Sequence, residues 1–128
     1  MDGGARGNPG PAAVAAVASA PDGGGLAERN AYIGESTNNV AEYRAVLLGL
    51  ELAGELGADE VEVVNDSELV AKQISGEYRV KNKGLQPLYL ETMAALRDFG
   101  GWKVRSVRRE SNERADELVN EALDERGR

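Results

Sequence analysis

Residues 38–66 read NNVAEYRAVLLGLELAGELGADEVEVVND, and this stretch decides the fold class. Val40, Tyr43, Val46, Leu47, Leu50 and Ala53 recur at helical spacing, which predicts a helix over Asn38–Ala58. Asn39 suits its N-cap and Gly57 its stop. A short aliphatic strand follows at Val61–Val64, with Asp66 just beyond its carboxyl end. In sheets with parallel strands, ligands bind outside those carboxyl ends.

Upstream of the helix, residues 3–11 (GGARGNPGP) predict a loop on Gly and Pro punctuation alone. Ala12–Ser19 reads as a buried strand, PDGGG at 21–25 as a turn, and Leu26–Ile33 as the antiparallel partner of a hairpin. Downstream, Ser67–Ile74 predicts a short helix and residues 75–83 (SGEYRVKNK) an irregular basic loop. A helix over Gly84–Phe99 ends at Gly100-Gly101. A strand over Trp102–Val107 and an amphipathic helix over Asn112–Glu125 complete the chain. Helix–strand alternation after a hairpin predicts an α/β domain over 1–128, with parallel strands in the second half of a mixed sheet.

Composition narrows the chemistry. The 128 residues fit one domain. With no cysteine and no histidine, disulfides, thiolate zinc sites, thiol nucleophiles and Ser-His-Asp triads are excluded. Any metal must be held by oxygen, which points to magnesium or manganese. The longest nearly apolar run, Ala12–Ala20, is too short to cross a bilayer and lacks the basic flank of a secretory signal. The expectation is a cytoplasmic protein with no membrane association. The net charge is −7, yet residues 72–109 hold 9 bases against 3 acids. An acidic chain is usually a poor polyanion binder, whereas a local basic stretch marks either a binding face or a solvated surface.

The search for chemistry therefore falls on carboxylates. Asp2 precedes a Gly-rich segment, where an acid at a turn is common. Glu42 follows Asn39 at capping-box spacing. Asp66 suits an N-cap, and Asp116 lies where a helix dipole favours an acid. Two details weigh against these ordinary roles. Glu42 shares a helix face with Ala45, Val46 and Gly49, which are small or apolar, and Asp66 ends the most aliphatic strand. Carboxylates gathered in one crevice do not all ionise cheaply without a cation. Spacing alone does not bring all four together.

Four motifs in order carry a family resemblance. Asp2-Gly3-Gly4 with Gly7-Asn8-Pro9-Gly10-Pro11-Ala12, Thr37-Asn38-Asn39 with Ala41-Glu42-Tyr43, Asn65-Asp66-Ser67, and Asn112-Glu113-Arg114-Ala115-Asp116-Glu117-Leu118 together resemble type 1 ribonuclease H over nearly the whole chain. The resemblance implies the ribonuclease H-like fold, a mixed five-stranded sheet flanked by helices. It implies hydrolysis of the RNA strand of RNA–DNA hybrids, leaving 5′-phosphate and 3′-hydroxyl ends. It implies that Asp2, Glu42, Asp66 and Asp116 ligate two divalent ions, Mg2+ or Mn2+, one activating a water and the other stabilising the departing 3′ oxygen. By the same resemblance Gly3, Gly4, Asn8, Thr37, Asn38, Asn39 and Ser67 lie on the substrate side. Neutral amides there suit a ribose 2′-hydroxyl. Asn8 before Pro9 equally suits a turn.

The chain departs from the pattern in three places. The family's first acid stands within a central strand, behind apolar residues. Only Met1 precedes Asp2 here, so most of that first strand is expected to be missing and the chain alone to be less stable than a relative that has it. A basic, aromatic protrusion is shortened to Tyr78, Arg79, Val80, Lys81, Asn82 and Lys83, which implies contact through Tyr78, Arg79, Lys81 and Lys83 and more salt-sensitive binding. The loop before the last helix lacks the histidine of many relatives and places Arg109 there, as an electrostatic group rather than a base. A monomer is expected. The rival readings are a hybrid-binding module without catalysis and a nuclease of the same superfold with another substrate, such as double-stranded RNA.

Overall fold

The computed structural model describes residues 1–126. In chain order it has β1 (Asp2–Ala5), β2 (Gly10–Ser19), β3 (Gly25–Ser36), α1 (Asn38–Glu55), β4 (Glu60–Asn65), α2 (Glu68–Ser75), α3 (Gln86–Leu96), β5 (Gly101–Ser106) and α4 (Glu113–Arg126), with a 3-10 turn at Arg109–Asn112. This is the predicted α/β class and the predicted order of elements, with one addition at the N-terminus.

That addition is β1. Residues 3–11 were expected to form a loop, but Asp2–Ala5 pairs antiparallel with Ala12–Ala15 of β2, and β2 begins at Gly10. The reason is tertiary. A Cβ on Gly3 would fall 2.1 Å from the Ala41 carbonyl oxygen, so the strand lies against the backbone of α1. The glycine that reads as a loop former is what lets a strand and a helix touch here.

The long central helix has a different N-cap from the one expected, while Gly57 stops it as expected, a few residues short of Ala58. Its N-cap is Thr37, whose Oγ1 accepts from the Val40 amide at 3.3 Å, rather than Asn39. It stops at Glu55, and Gly57, at φ 75°, turns the chain into β4. It buries Ala41, Tyr43, Ala45, Val46 and Leu50 because it packs on β1 and β2 and also against α3.

β2 is the floor between two helices. Ala12, Ala13, Ala15 and Ala16 are buried, and α1 and α4 both pack on this strand. Small side chains keep the layers close.

The five strands of the implied fold are present, the first as the short β1, but their ladders fall into two sheets rather than one. β1, β2 and β3 form an antiparallel sheet, and β4 pairs with β5 in parallel. β1 contributes only four paired residues. Across to β4 runs a hydrogen bond from the Met1 nitrogen to the Val64 carbonyl oxygen at 3.1 Å. Asn112 Nδ2 donates to the Met1 carbonyl at 2.6 Å and ties the same junction to the start of α4.

Two apolar clusters hold the layers. The larger joins Tyr43, Val46, Leu50, Val63, Val70, Ile74 and Leu96, with Trp102 and Val104 packed at its side. The smaller lies under α4 and includes Ala13, Ala15, Ala115, Leu118 and Val119. Among the described residues no helix is long and apolar enough to cross a membrane.

Candidate active site

The two clusters leave a polar cleft of about 440 Å³ between the ends of β1 and β4 and the start of α4. Each of the four predicted acids lines it. Asp2 opens β1 and is buried. Gly3 beside it is in backbone contact with α1, and its amide donates to Glu42 Oε1 at 3.2 Å. The strand–helix contact therefore also brings the first two acids together. Glu42 is buried in the early part of α1, and its Oε2 has no hydrogen-bond partner. The capping-box role allowed for Glu42 does not occur, because its accepted bond comes from β1.

Asp66 stands in the turn from β4 to α2. Asn65 Oδ1 accepts from the Ser67 amide at 2.6 Å, and Ser67 Oγ accepts from the Val70 amide at 3.3 Å. The cap of α2 is thus Ser67 rather than Asp66, which leaves the Asp66 carboxylate for the cleft. Asp116 lies in the first turn of α4 and faces the same space.

Carboxylate oxygens of Asp2, Glu42 and Asp66 lie within 4.8 Å of one another. Burial pushes Asp2 up to about 7, aided by the charges of Asp66 and Asp116. Burial likewise pushes Glu42 up to about 8, aided by Asp2 and Asp66. The guanidinium of Arg109 sits over this group, its Nε 3.8 Å from Asp66 Oδ2, but it is 80% exposed and offsets little. A buried, unpaired carboxylate oxygen among converging acids fits a hard divalent cation, for which an all-oxygen donor set is right.

The pH consequence has a definite sign. Between the unfolded values near 4 and the folded values of about 7 and 8, the folded chain binds more protons than the unfolded one. Stability without metal therefore falls as pH rises through this window. We expect the melting temperature in EDTA to drop by several degrees from pH 5 to pH 8, and excess Mg2+ to recover more of it at pH 8 than at pH 5. Scanning calorimetry across pH with and without Mg2+ checks this.

The other predicted site residues divide. Gly4, Asn38, Asn39, Ser67 and Arg109 line the cleft with the acids. A Cβ on Gly4 would meet only Val119 Cγ1, at 3.8 Å. Gly3 lines the cleft as well, and it is buried, with its backbone in close contact with α1. The Thr37 side chain caps α1. Asn8 is exposed beside the cleft, its Oδ1 accepting from the Asn38 amide at 3.1 Å, while Asn38 Oδ1 accepts from the Ala5 amide at 2.9 Å. Tyr78, Arg79, Lys81 and Lys83 are not brought to the acids. Tyr78 and Arg79 line a separate hollow of about 400 Å³ with Tyr89 and Leu90. Val80 and Leu85, both buried, anchor this loop, and Lys72 Nζ lies 5.0 Å from the Tyr78 ring centroid. Lys81 and Lys83 are exposed nearby in sequence.

Sequence reasoning missed Arg6 and Asn120, which also line the cleft. Arg6 pairs with Asp124 at 2.7 Å. Asn120 lies one helical turn after Asp116, so the i,i+4 rule held the signal.

Comparison with known proteins decides the family. The family model described as reverse transcriptase-like matches residues 1–122. Ribonuclease H of a Sulfurovum species is 37% identical over 94% of this chain and 86% of its own length. The chain belongs to the ribonuclease H family.

Within this family, Ribonuclease HI of Halobacterium salinarum is 45% identical over 98% of the chain. The chain spans only 63% of that relative's length. The crystal structure of RNase H1 from the same archaeon superposes with a TM-score of 0.94, covering 97% of this chain and 94% of that one. LC11-RNase H1, solved in complex with an RNA/DNA hybrid, superposes with a TM-score of 0.95 at 43% identity, covering 99% and 96%.

Proposed function

We propose that this chain hydrolyses the RNA strand of RNA–DNA hybrids with the help of two divalent ions, Mg2+ or Mn2+, leaving 5′-phosphate and 3′-hydroxyl ends. The observation that carries the reading is the meeting of Asp2, Glu42, Asp66 and Asp116 on one cleft, in a fold shared with a relative solved on such a hybrid. The four carboxylates are the residues that would hold the ions. When bound, divalent ions supply an activated water and offset charge at the phosphate and the departing 3′ oxygen.

The chain's own groups do the rest. The Gly3 amide orients Glu42. Asn38 and Asn39 stand on the cleft rim where a ribose 2′-hydroxyl has both donor and acceptor to meet. Ser67 fixes the turn that presents Asp66. Tyr78 and Arg79, which share a hollow, and the exposed Lys81 and Lys83 that follow them in the chain supply basic and aromatic groups suited to the other strand's backbone and sugars.

Arg109 adds positive charge above Asp66. As it is a guanidinium, it acts by electrostatics and not by proton transfer. Arg109→Ala should lower kcat about tenfold, a modest oxyanion-type effect, with Mn2+ affinity nearly unchanged. Steady-state kinetics beside Mn2+ calorimetry checks it, and an unchanged kcat removes Arg109 from the site.

The substrate assignment is tested by offering hybrid, duplex RNA and duplex DNA of one sequence in Mg2+. Preferential loss of the hybrid's RNA strand is expected. Faster cutting of duplex RNA would shift the reading to a different nuclease, and binding of hybrid without cutting would make it a binding module.

A further inference from the structure

We infer that Asn65 is a positioning residue for the acid cluster, using one end of its carboxamide to set the turn that carries Asp66 and the other to steer the Glu42 carboxylate. The inference deepens the ribonuclease reading and rests on it.

Asn65 closes β4 and is completely buried, at 0% exposure. Its Oδ1 accepts from the Ser67 amide at 2.6 Å. That bond settles which end of the carboxamide is which. It shapes the step from strand to helix over which Asp66 is presented. The backbone of Asn65 is held as well, its carbonyl accepting from Val107 at 2.9 Å. Neither the residue nor its oxygen has room to wander.

The nitrogen end is unspent. Among the described residues, two buried side-chain polar atoms lack a hydrogen-bond partner: Asn65 Nδ2, a donor, and Glu42 Oε2, an acceptor. The Asn65 amide and the Glu42 carboxyl are close enough to interact, though no well-formed bond joins them. Leaving such groups unpaired in a protein interior is costly, and native structures rarely leave them so. Glu42 Oε1 is already engaged by the Gly3 amide at 3.2 Å. In the inferred arrangement the free Oε2 takes the free Asn65 donor. Gly3 and Asn65 would then hold the Glu42 head from two sides, in the manner of groups that orient metal-ligating carboxylates.

A side chain at this position must accept from Ser67 and donate toward Glu42 at once. Serine and threonine can accept from the turn but are too short to reach across. Asn65→Ser therefore separates the two duties.

The test is a double-variant cycle read by Mn2+ calorimetry, with kcat and KM for hybrid cleavage alongside. Asn65→Ser should weaken Mn2+ binding about tenfold or more and lower kcat with KM for hybrid little changed. On a Glu42→Gln background the same replacement should cost almost nothing further, because the two residues act as a unit. Asn65→Thr, which suits a strand end, goes through the same cycle and stands in if the serine variant does not melt cooperatively in EDTA. An unchanged Mn2+ affinity, or an equal loss on both backgrounds, overturns the inference and leaves Asn65 a purely structural residue. If the parent chain itself shows no Mn2+ binding and no cleavage, the ribonuclease reading fails instead, so the two failures are told apart.

Discussion

Replacing Glu42 by Gln or Asp66 by Asn is expected to reduce cleavage of the RNA strand by about a thousandfold or more, the scale seen when one member of a cooperating catalytic group is lost. Hybrid affinity should be held or improved, since a carboxylate repels phosphates. The stability change has the opposite sign to that of most core substitutions. Glu42 is buried, carries an unpaired oxygen and is crowded by Asp2 and Asp66. An isosteric amide keeps the oxygen that accepts from Gly3 and removes the buried charge. In EDTA at pH 8, Glu42→Gln should therefore melt above the parent chain, and added Mg2+ should raise its melting temperature much less. Paired melts and cleavage assays give both readouts. A variant that cuts at the parent rate would show that the cluster is not the reaction centre.

Gly3→Ala is the largest stability effect we expect. The added Cβ would lie 2.1 Å from the Ala41 carbonyl oxygen and 2.8 Å from the Glu42 nitrogen, both backbone atoms of α1. Nothing flexible is available to yield, so β1 and α1 must separate. We expect a loss of at least about 3 kcal/mol, in the range of severe overpacking, and a fall in melting temperature of more than about 10 °C. Activity should be lost with it, because the same contact places the Gly3 amide on Glu42 and sets Asp2 beside it. Gly4→Ala is the control: its Cβ meets a single methyl at ordinary distance, and its melting temperature should change by no more than a few degrees. Equal melting of the two variants would contradict the close strand–helix contact.

Much of this architecture was legible in residues 38–66. Apolar spacing marks α1, and the valines mark β4 and leave Asp66 at its end. The same periodicity in Ala115, Leu118, Val119 and Ala122 marks α4, and all four are buried. What stayed hidden depends on tertiary contact. β1 reads as a loop because glycines break local propensity, and only the approach of α1 explains them. Asn39 suits an N-cap by residue type, yet Thr37 is the residue with extended backbone and a side chain that accepts from Val40. The division of the strands into two ladders has no local signal, since it depends on which strands pair across the fold.

The four acids were legible as candidates, not as a cluster. Their spacing carries no geometry, and their meeting follows from the topology that brings β1, α1, the end of β4 and α4 to one edge. The basic loop around Tyr78 was legible as charge, but the anchoring of Val80 and Leu85 in the core places it on a patch of its own. Arg6 and Asn120 join the cleft only once β1 and α4 are side by side.

The most direct measurement is sizing of the RNA strand from an end-labelled RNA–DNA hybrid after incubation with the chain in Mg2+, in Mn2+ and in EDTA. The account predicts internal cuts with either metal, intact RNA in EDTA, an intact DNA strand throughout, and RNA products whose 3′ ends a polymerase can extend. RNA left whole in both metals, or cut equally in EDTA, would contradict it.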